Sequence, residues 1–208
     1  AGAAHLATHC HGAHSWTAAH RRHWRRQNSR PRTTDTGAVT LPEISKPLIV
    51  HGGTDCFVTP PEVAARMADY ANLDSGQIVY DPEAGTGNLL QAIIDTGEPV
   101  ELFGHELNHT LFDSLTARFD QQQLTLTQGD FLALEGISVD RFIMNPPYAK
   151  RAAYQHIEHA RGLLNSDGLI IAVVPSTFDI DGMYTLETLP PDTFANTSIR
   201  TKIIEIDA

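Results

Sequence analysis

The sequence predicts an α/β domain built on a doubly wound, mostly parallel β-sheet. Short apolar runs of the kind found in buried strands alternate with longer stretches whose apolar residues recur at helical spacing. This alternation is typical of a parallel sheet with helices on both faces. Polar residues, glycines and prolines follow the apolar runs, and open α/β sheets bind their ligands at such strand ends. We therefore expect the functional site along one edge of the sheet.

The first helix is predicted to begin at Thr59-Pro60-Pro61-Glu62 and to run to about residue 71. Prolines are tolerated in a first helical turn, and Glu62 lies favourably against the helix dipole. Val63, Met67 and Tyr70 recur at i, i+4 and i+7, which indicates one apolar face. A turn at residues 74–76 then leads to a short strand at 77–80.

The remaining elements continue the alternation of helix and strand. The pattern predicts a helix around 89–94, a strand at 100–103, a helix at 109–119, strands at 124–127 and 141–144, a helix at 152–164 and a strand at 169–174. The five strands lead into five loops, which contain Asp81, Gly104, Gly129, Asn145 and Pro175 in that order.

The length of 208 residues predicts one domain with an extension. Hydrophobic residues make up 41% and charged residues 19%, as in soluble globular proteins, and no apolar run reaches the roughly 18 residues of a membrane span. Cys10 and Cys56 are too few for a disulfide framework. These features predict a cytoplasmic protein without a membrane segment.

The net charge of −10 is unevenly distributed. Residues 1–55 hold seven Lys/Arg and three Asp/Glu, a balance of +4, whereas residues 56–208 hold eight and 22, a balance of −14. An acidic domain does not attract phosphate groups through its overall charge. If it acts on nucleic acid, it needs a local basic patch, the basic extension or a partner protein.

Residues 1–54 are predicted to be a basic, poorly ordered tail that precedes a domain at 55–208. Six of the eleven histidines lie in the first 23 residues, and an Arg-rich cluster surrounds Trp24. This cluster either is simply solvated or binds phosphate and stacks on a base. No metal site is predicted, because the candidate zinc ligands lack a second pair at a recognised spacing. These candidates are His9, Cys10, His11 and His14.

The fourth strand ends in the loop Met144-Asn145-Pro146-Pro147-Tyr148. The two prolines restrict φ and supply no amide hydrogen, and Pro146 also keeps Asn145 out of the helical region. Such a stiff loop suits a planar amino group. The Asn145 oxygen and a backbone carbonyl accept its two hydrogens, and Tyr148 stacks on the ring that carries it. The alternative is a turn that only ends the strand.

The loops after the first two strands suit a ligand that contains a ribose. Gly85-Thr86-Gly87 lets the backbone pass close to a ligand and leads into a helix. Leu90 stands where the dinucleotide fingerprint has its third glycine, which argues against an NAD site. Glu106 follows Gly87 by 19 residues, about the spacing of an acid that binds ribose hydroxyls. Glu106, and Asp130 at the third strand end, are alternatively surface residues or helix caps.

Residues 55–208 resemble the class I S-adenosylmethionine-dependent methyltransferases, in particular the gamma class of adenine-N6 DNA methyltransferases, whose catalytic motif is Asn-Pro-Pro-Tyr. The resemblance rests on segments that occur in the family's order. They are Phe57-Val58-Thr59-Pro60, Asp81-Pro82-Glu83-Ala84-Gly85-Thr86-Gly87, Glu106, Gly129-Asp130-Phe131, Asn145 to Tyr148, and Val174-Pro175-Ser176-Thr177-Phe178.

The resemblance implies a Rossmann-like fold with a C-terminal antiparallel hairpin, S-adenosyl-L-methionine as the cofactor and the N6 amine of adenine in DNA as the methyl acceptor. It assigns catalysis to Asn145, Pro146, Pro147 and Tyr148 and target binding to Tyr148, Lys150 and Phe178. It assigns cofactor binding to Thr59, Pro60, Asp81, Glu83, Gly85, Gly87, Glu106 and Asp130. It implies neither a metal nor a covalent intermediate.

The sequence departs from the family on the substrate side. Only short connections follow Tyr148 and Phe178, and residues 179–184 are too few for the helix that usually follows the fifth strand. Residues 189–194 and 202–207 are similar to the final hairpin. Lys150 and Arg151 contact phosphate or simply start a solvated helix.

These departures leave alternatives to methylation of adenine in DNA, with or without a partner protein that supplies recognition. One alternative is methylation of an RNA base or of a protein glutamine side chain, because the Asn-Pro-Pro-Tyr motif is shared by such enzymes. The other is a cofactor-binding module that has lost catalysis.

Overall fold

The computed structural model describes residues 57–119, 123–149, 151–194 and 197–208. The predicted tail, its boundary at 54/55, the His/Cys group near the start of the chain and Lys150 lie outside these ranges. The predictions made for them therefore stay predictions.

The described residues form four α-helices and seven β-strands that alternate over most of the chain. In chain order the elements are α1 Pro61–Ala71, β1 Ile78–Asp81, α2 Asn88–Asp95, β2 Glu101–Glu106, α3 His109–Arg118, β3 Thr125–Gln128, β4 Val139–Met144, α4 Ala152–Gly162, β5 Leu164–Pro175, β6 Met183–Thr188 and β7 Thr201–Asp207. A short 3₁₀ turn, Phe131–Ala133, follows β3. In these ranges no helix is long and apolar enough to cross a membrane.

The strands form one sheet in the order β3-β2-β1-β4-β5-β7-β6. Strands β1 to β5 pair in parallel, and β7 is antiparallel to both of its neighbours, β5 and β6. The predicted doubly wound, mostly parallel sheet with a C-terminal antiparallel hairpin is confirmed. The strand order reverses between β1 and β4, and sheets of this class bind ligands at such a switch point.

Two apolar clusters cover the two faces of the sheet, as the period-2 alternation of a strand requires. In β4, Ile143 packs into the cluster that contains residues of α1, α2 and α3, whereas Phe142 and Met144 pack into the cluster that contains residues of α4. The strands therefore have helices on both faces, and their carboxyl ends meet along one edge.

The C-terminal hairpin differs in position from the prediction. Its first strand is β6, Met183–Thr188, whereas residues 189–194 form a turn region in which Leu189 and Phe194 are buried in the core. Pro190 and Pro191 have no amide hydrogens to donate to a strand ladder, which explains why the ladder ends before them. The connection 176–182 contains no helix, as the short predicted linker required.

Strand β5 begins at Leu164, five residues earlier than the predicted 169. Leu164 pairs with Val139 of β4, and a register irregularity between Val139 and Arg141 separates this pair from the main ladder. Residues 165–168, which separate the predicted helix from the predicted strand, therefore lie within the bounds of the strand, and α4 ends at Gly162 instead of residue 164.

Candidate active site

A cleft of about 370 Å³ lies along the carboxyl ends of β1, β2, β3 and β4. The fold brings eight of the predicted site residues to its wall although they come from five separate segments of the chain. These residues are Thr59, Glu83, Gly85, Glu106, Asp130, Asn145, Pro146 and Pro147.

Glu106 holds the loop between β1 and α2 in place. The backbone amide of Gly85 donates to Glu106 Oε2 at 2.8 Å, and the amide of Asn108 donates to Oε1 at 2.7 Å. Gly85 has a φ of 54°, a left-handed conformation that favours glycine. The carboxylate thus joins the end of β2 to the glycine loop, and its remaining lone pairs are the acceptors that a ribose would require.

Gly87 has a packing role that the sequence did not reveal. It has a φ of 84°, and a Cβ atom at this position would lie 2.4 Å from the Phe119 ring and 2.9 Å from Leu115. Gly87 does not line the cleft among the described residues. The position therefore requires glycine because α3 packs closely against the start of α2.

Asp81 is fully buried and does not line the described cleft. Its Oδ1 accepts from the Glu83 amide at 3.3 Å, whereas Oδ2 has no hydrogen-bond partner. Burial, with a contribution from the neighbouring Glu83 charge, raises the pKa of Asp81 well above its usual value.

Pro60 also lies away from the cleft wall, and its carbonyl oxygen accepts hydrogen bonds from the Val63 and Ala64 amides at the start of α1. Contacts of Pro60, Asp81 and Gly87 with a cofactor stay predictions.

The side chain of Asn145 is held in one orientation. Its Nδ2 donates to the Phe57 carbonyl oxygen and to Thr59 Oγ1, both at 3.0 Å. A carbonyl oxygen can only accept, so the nitrogen must face Phe57 and the amide cannot be reversed. The Tyr148 hydroxyl donates to Asn145 Oδ1 at 2.6 Å. One lone pair of Oδ1 is therefore left for another donor.

Tyr148 packs within the site as well as donating to Asn145. Its ring stacks on Phe57 with the centroids 5.3 Å apart and the planes 15° apart. Burial raises the pKa of Tyr148, so the phenol keeps its hydrogen across the neutral range. Tyr148 and Phe57 together connect the loop that follows β4 to the segment that precedes α1.

A second cavity of about 290 Å³ lies beside the loop and contains the predicted target residues Tyr148 and Phe178. Phe178 is buried and packs against Tyr154, with ring centroids 4.3 Å apart. The cavity is lined by Tyr148, Ala153, Tyr154, Pro175, Thr177, Phe178 and Ile199. Of the predicted basic pair only Arg151 is described, and it is exposed.

The cleft wall is acidic. Glu83, Glu106 and Asp130 line it together with His109 and His156, and no Lys or Arg is found among the described lining residues. Such a wall suits a ligand that carries positive charge and provides no side chain for neutralising a phosphate. The charge thus agrees with the sequence evidence against a dinucleotide site.

His156 belongs to the site although no local pattern indicates it. Its Nδ1 lies 2.5 Å from Glu83 Oε1, and both residues line the cleft. The two are 73 residues apart in the chain and meet although α4 packs mainly on β5 and on the 3₁₀ turn Phe131–Ala133. A lone histidine on a helix has no spacing signal that distinguishes it from a surface residue.

Solved structures of methyltransferases share the fold of this chain. A putative class I S-adenosylmethionine-dependent methyltransferase from Listeria monocytogenes superposes with a TM-score of 0.60 at 20% identity, covering 72% of this chain and 60% of that one. The 23S rRNA methyltransferase ErmE superposes with a TM-score of 0.61 at 15% identity, covering 73% and 69%. The chain has the class I methyltransferase fold. The Rossmann-like methyltransferase fold that the resemblance implied is thereby confirmed.

Curated relatives of this methyltransferase-fold chain are modification enzymes. The modification methylase CviBIII of Paramecium bursaria Chlorella virus NC1A is 22% identical over an alignment of 148 residues, and the match covers 62% of this chain and 39% of the relative. The type II restriction enzyme and methyltransferase RM.BcgI of Heyndrickxia coagulans is 25% identical over an alignment of 163 residues, and the match covers 62% of this chain and 26% of the relative. No family model matches the chain.

The chain thus spans about two fifths and one quarter of the length of these two relatives. Relatives and structural neighbours together imply S-adenosylmethionine as the methyl-donor cofactor of this fold. They support a methyltransferase without specifying the methyl acceptor.

Proposed function

We propose that the chain transfers a methyl group from S-adenosylmethionine to the exocyclic N6 amine of adenine in DNA. The observation that carries this proposal is the fixed orientation of Asn145 between an acidic cleft and an aromatic cavity. The cleft suits a cationic cofactor, the cavity suits a planar ring, and the amide between them offers an acceptor to an amine.

The residues of the cleft fit the implied cofactor. When bound, S-adenosylmethionine supplies an electrophilic methyl group on a positively charged sulfur. Glu106 presents acceptors for ribose hydroxyls at the end of β2, and Gly85 lets the loop backbone approach the ligand. The acidic wall favours the positive charge.

Asn145 acts on the amine by accepting hydrogen bonds. The N6 lone pair of adenine is delocalised into the ring, so the amine is a poor nucleophile. Asn145 Oδ1 and the Pro146 carbonyl accept its two hydrogens and favour localisation of the lone pair on nitrogen. The amide is too weak a base to take a proton, so the proton that nitrogen loses after methylation goes to solvent. Most of the remaining rate enhancement comes from positioning.

The aromatic cavity would receive the target base. Tyr148 and Phe178 contribute ring surfaces to it, and Tyr154 supports Phe178 from the side. A base in duplex DNA must leave the stack to reach such a pocket, and stacking on aromatic rings offsets part of that cost. The exposed Arg151 next to the catalytic loop is available for a phosphate of the target strand.

DNA as the substrate is supported by the two curated relatives, which are named as a modification methylase and as a restriction enzyme and methyltransferase. The acidic domain itself offers little general attraction for phosphate. We therefore propose that the basic residues 1–54 or a partner protein supply much of the DNA affinity and the sequence recognition.

The test is transfer of tritiated methyl groups to DNA free of N6-methyladenine, to RNA and to total protein, with nucleosides analysed by mass spectrometry. The proposal requires N6-methyladenine in DNA and no label with the Asn145→Ala variant. Label confined to RNA or to protein glutamine would replace the DNA assignment. Cofactor binding without turnover on any substrate would indicate a module that has lost catalysis.

A further inference from the structure

Glu83 and His156 form a pair at the wall of the cleft that the proposed transfer step does not use. His156 Nδ1 and Glu83 Oε1 are 2.5 Å apart, and the side chains are only 14% and 18% exposed, respectively. Glu83 belongs to the loop between β1 and α2, whereas His156 lies on the helix that follows the catalytic loop. The pair therefore connects the cofactor side of the site with the catalytic side.

Glu83 depends on His156 for its only described side-chain hydrogen bond. Its second oxygen, Oε2, is buried and has no hydrogen-bond partner. Burial raises the pKa of Glu83, and the bond to His156 opposes this shift. Without His156, the carboxyl group would either take up a proton or turn away toward water, because an unpaired buried carboxylate is strongly disfavoured.

The surroundings of Glu83 are acidic, and His156 is its described ion-pair partner. The charge of Glu106 raises the pKa of Glu83 further, and no Lys or Arg lines the described part of the cleft. A cation entering the cleft would supply the missing positive charge. The effect is strong at short range because a half-buried cleft screens charge less than water does.

We propose that Glu83, held in place by His156, is the charge-selective group of the cofactor site and favours S-adenosylmethionine over S-adenosylhomocysteine. This inference rests on the proposed function. The two ligands share the adenosine and amino acid parts, and they differ in the methyl group and in the positive charge on sulfur. A carboxylate at the wall therefore stabilises the methyl donor more than the product, which helps the product to leave.

His156 is a positioning residue in this arrangement, and it contacts Glu83 through its Nδ1 atom. The side-chain nitrogen of asparagine can occupy the place of histidine Nδ1, whereas that of glutamine reaches the place of Nε2. His156→Asn should therefore keep the bond to Glu83 and His156→Gln should lose it. Glu83→Gln removes the charge while retaining shape. Glu158→Gln removes the same charge from the exposed face of the same helix and serves as a matched control.

The experiment is isothermal calorimetry of each full-length variant with S-adenosylmethionine and with S-adenosylhomocysteine, well below the unfolding temperature of each variant. Glu83→Gln should weaken S-adenosylmethionine binding by about tenfold and S-adenosylhomocysteine binding by about twofold or less, because one charge–charge interaction in the cleft is lost. His156→Gln should behave like Glu83→Gln. His156→Asn should stay within about threefold of wild type, and Glu158→Gln should bind like wild type.

Equal losses for both ligands in Glu83→Gln would overturn the charge-selective role, as would unchanged affinity for S-adenosylmethionine. Equal behaviour of the two His156 variants would overturn the positioning role of Nδ1. In each of these cases wild-type protein still binds the cofactor, so the result would leave the proposed function untouched. Wild-type protein that binds neither ligand would overturn the proposed function, and this inference with it.

Discussion

Thr59 Oγ1 accepts a hydrogen bond from Asn145 Nδ2 at 3.0 Å, so a residue just before α1 orients the amide at the end of β4. The two residues are 86 positions apart in the chain. The second hydrogen of the same nitrogen is bound by the Phe57 carbonyl oxygen. Asn145 Oδ1 consequently faces Tyr148 and any amine that enters the site.

Thr59→Val should reduce the rate of methyl transfer more than it reduces cofactor affinity. The variant keeps the shape of the side chain and removes one of the two acceptors of Asn145 Nδ2, so that only the Phe57 carbonyl oxygen still holds the amide. We expect kcat to fall by about tenfold, in line with a lost hydrogen bond of roughly 1 to 1.5 kcal/mol. Single-turnover rates at saturating cofactor measure this effect. Thr59→Ser retains the hydroxyl and is the control. Equal rates for the Ser and Val variants would contradict the orienting role.

Asn145→Ala should leave cofactor binding intact and abolish methyl transfer. The change removes the acceptor for the amine without touching Glu106 or the glycine loop. Loss of a preorganised acceptor at a reacting centre typically lowers kcat by about 10²- to 10³-fold. Calorimetry with S-adenosylmethionine and a tritium transfer assay are performed on the same preparation. Retained activity in this variant would remove Asn145 from the mechanism.

Tyr148→Phe should make the stability of the protein depend less on pH in the alkaline range. Burial raises the pKa of Tyr148 in the folded state, so above pH of about 10 the unfolded chain loses this proton first and stability falls as pH rises. Burial also raises the pKa values of Tyr70 and Tyr80, which therefore contribute in the same direction. The variant removes only the contribution of Tyr148 to this loss of stability at high pH. Urea unfolding at pH 8 and pH 10.5 should show a smaller difference for the variant than for wild type.

At neutral pH the same variant should be slightly less stable, because Asn145 Oδ1 loses a hydrogen bond worth about 1 kcal/mol. The ring still stacks on Phe57, so the loop should keep its conformation. An identical pH dependence in wild type and variant would show that the Tyr148 hydroxyl is not buried in solution.

Gly87→Ala should destabilise the fold much more than Gly97→Ala. Both glycines have a positive φ, 84° and 73°, so both substitutions carry the backbone cost of a left-handed residue, about 1 kcal/mol. Only at Gly87 would the new methyl group meet the Phe119 ring at 2.4 Å, whereas the space around Gly97 is open. We expect overpacking to lower the free energy of unfolding of Gly87→Ala by roughly 1 to 3 kcal/mol more than that of Gly97→Ala.

Urea unfolding gives the free energy of unfolding of each glycine variant, which is compared with that of the wild-type protein. Similar losses for the two would mean that the approach of Phe119 to Gly87 relaxes at little cost. A loss of cofactor affinity in Gly87→Ala without a loss of stability would instead favour the ligand contact predicted for this residue from its motif.

Local pattern in the chain was sufficient for the alternation of strands and helices, the parallel sheet and the placement of Asn145 directly after β4. These features follow from backbone geometry, which repeats every two residues in a strand and about every 3.6 in a helix. The boundaries of β5 and β6 were predicted less accurately, because they depend on pairing with strands elsewhere in the sheet. Pro190 and Pro191 mark the end of β6, whereas the resemblance to the family placed the hairpin strand at residues 189–194.

Contacts between distant segments could not be predicted from local sequence patterns, because they form only when the helices and strands pack together. The motif predicts one common role for Asp81, Glu83, Gly85 and Gly87. Only the packed structure separates Glu83 and Gly85, which line the described cleft, from Asp81 and Gly87, which do not. It also joins Glu83 to His156 and Thr59 to Asn145. Such pairs depend on the order of strands and the docking of helices, which arise from the whole chain and leave no periodic trace near either residue.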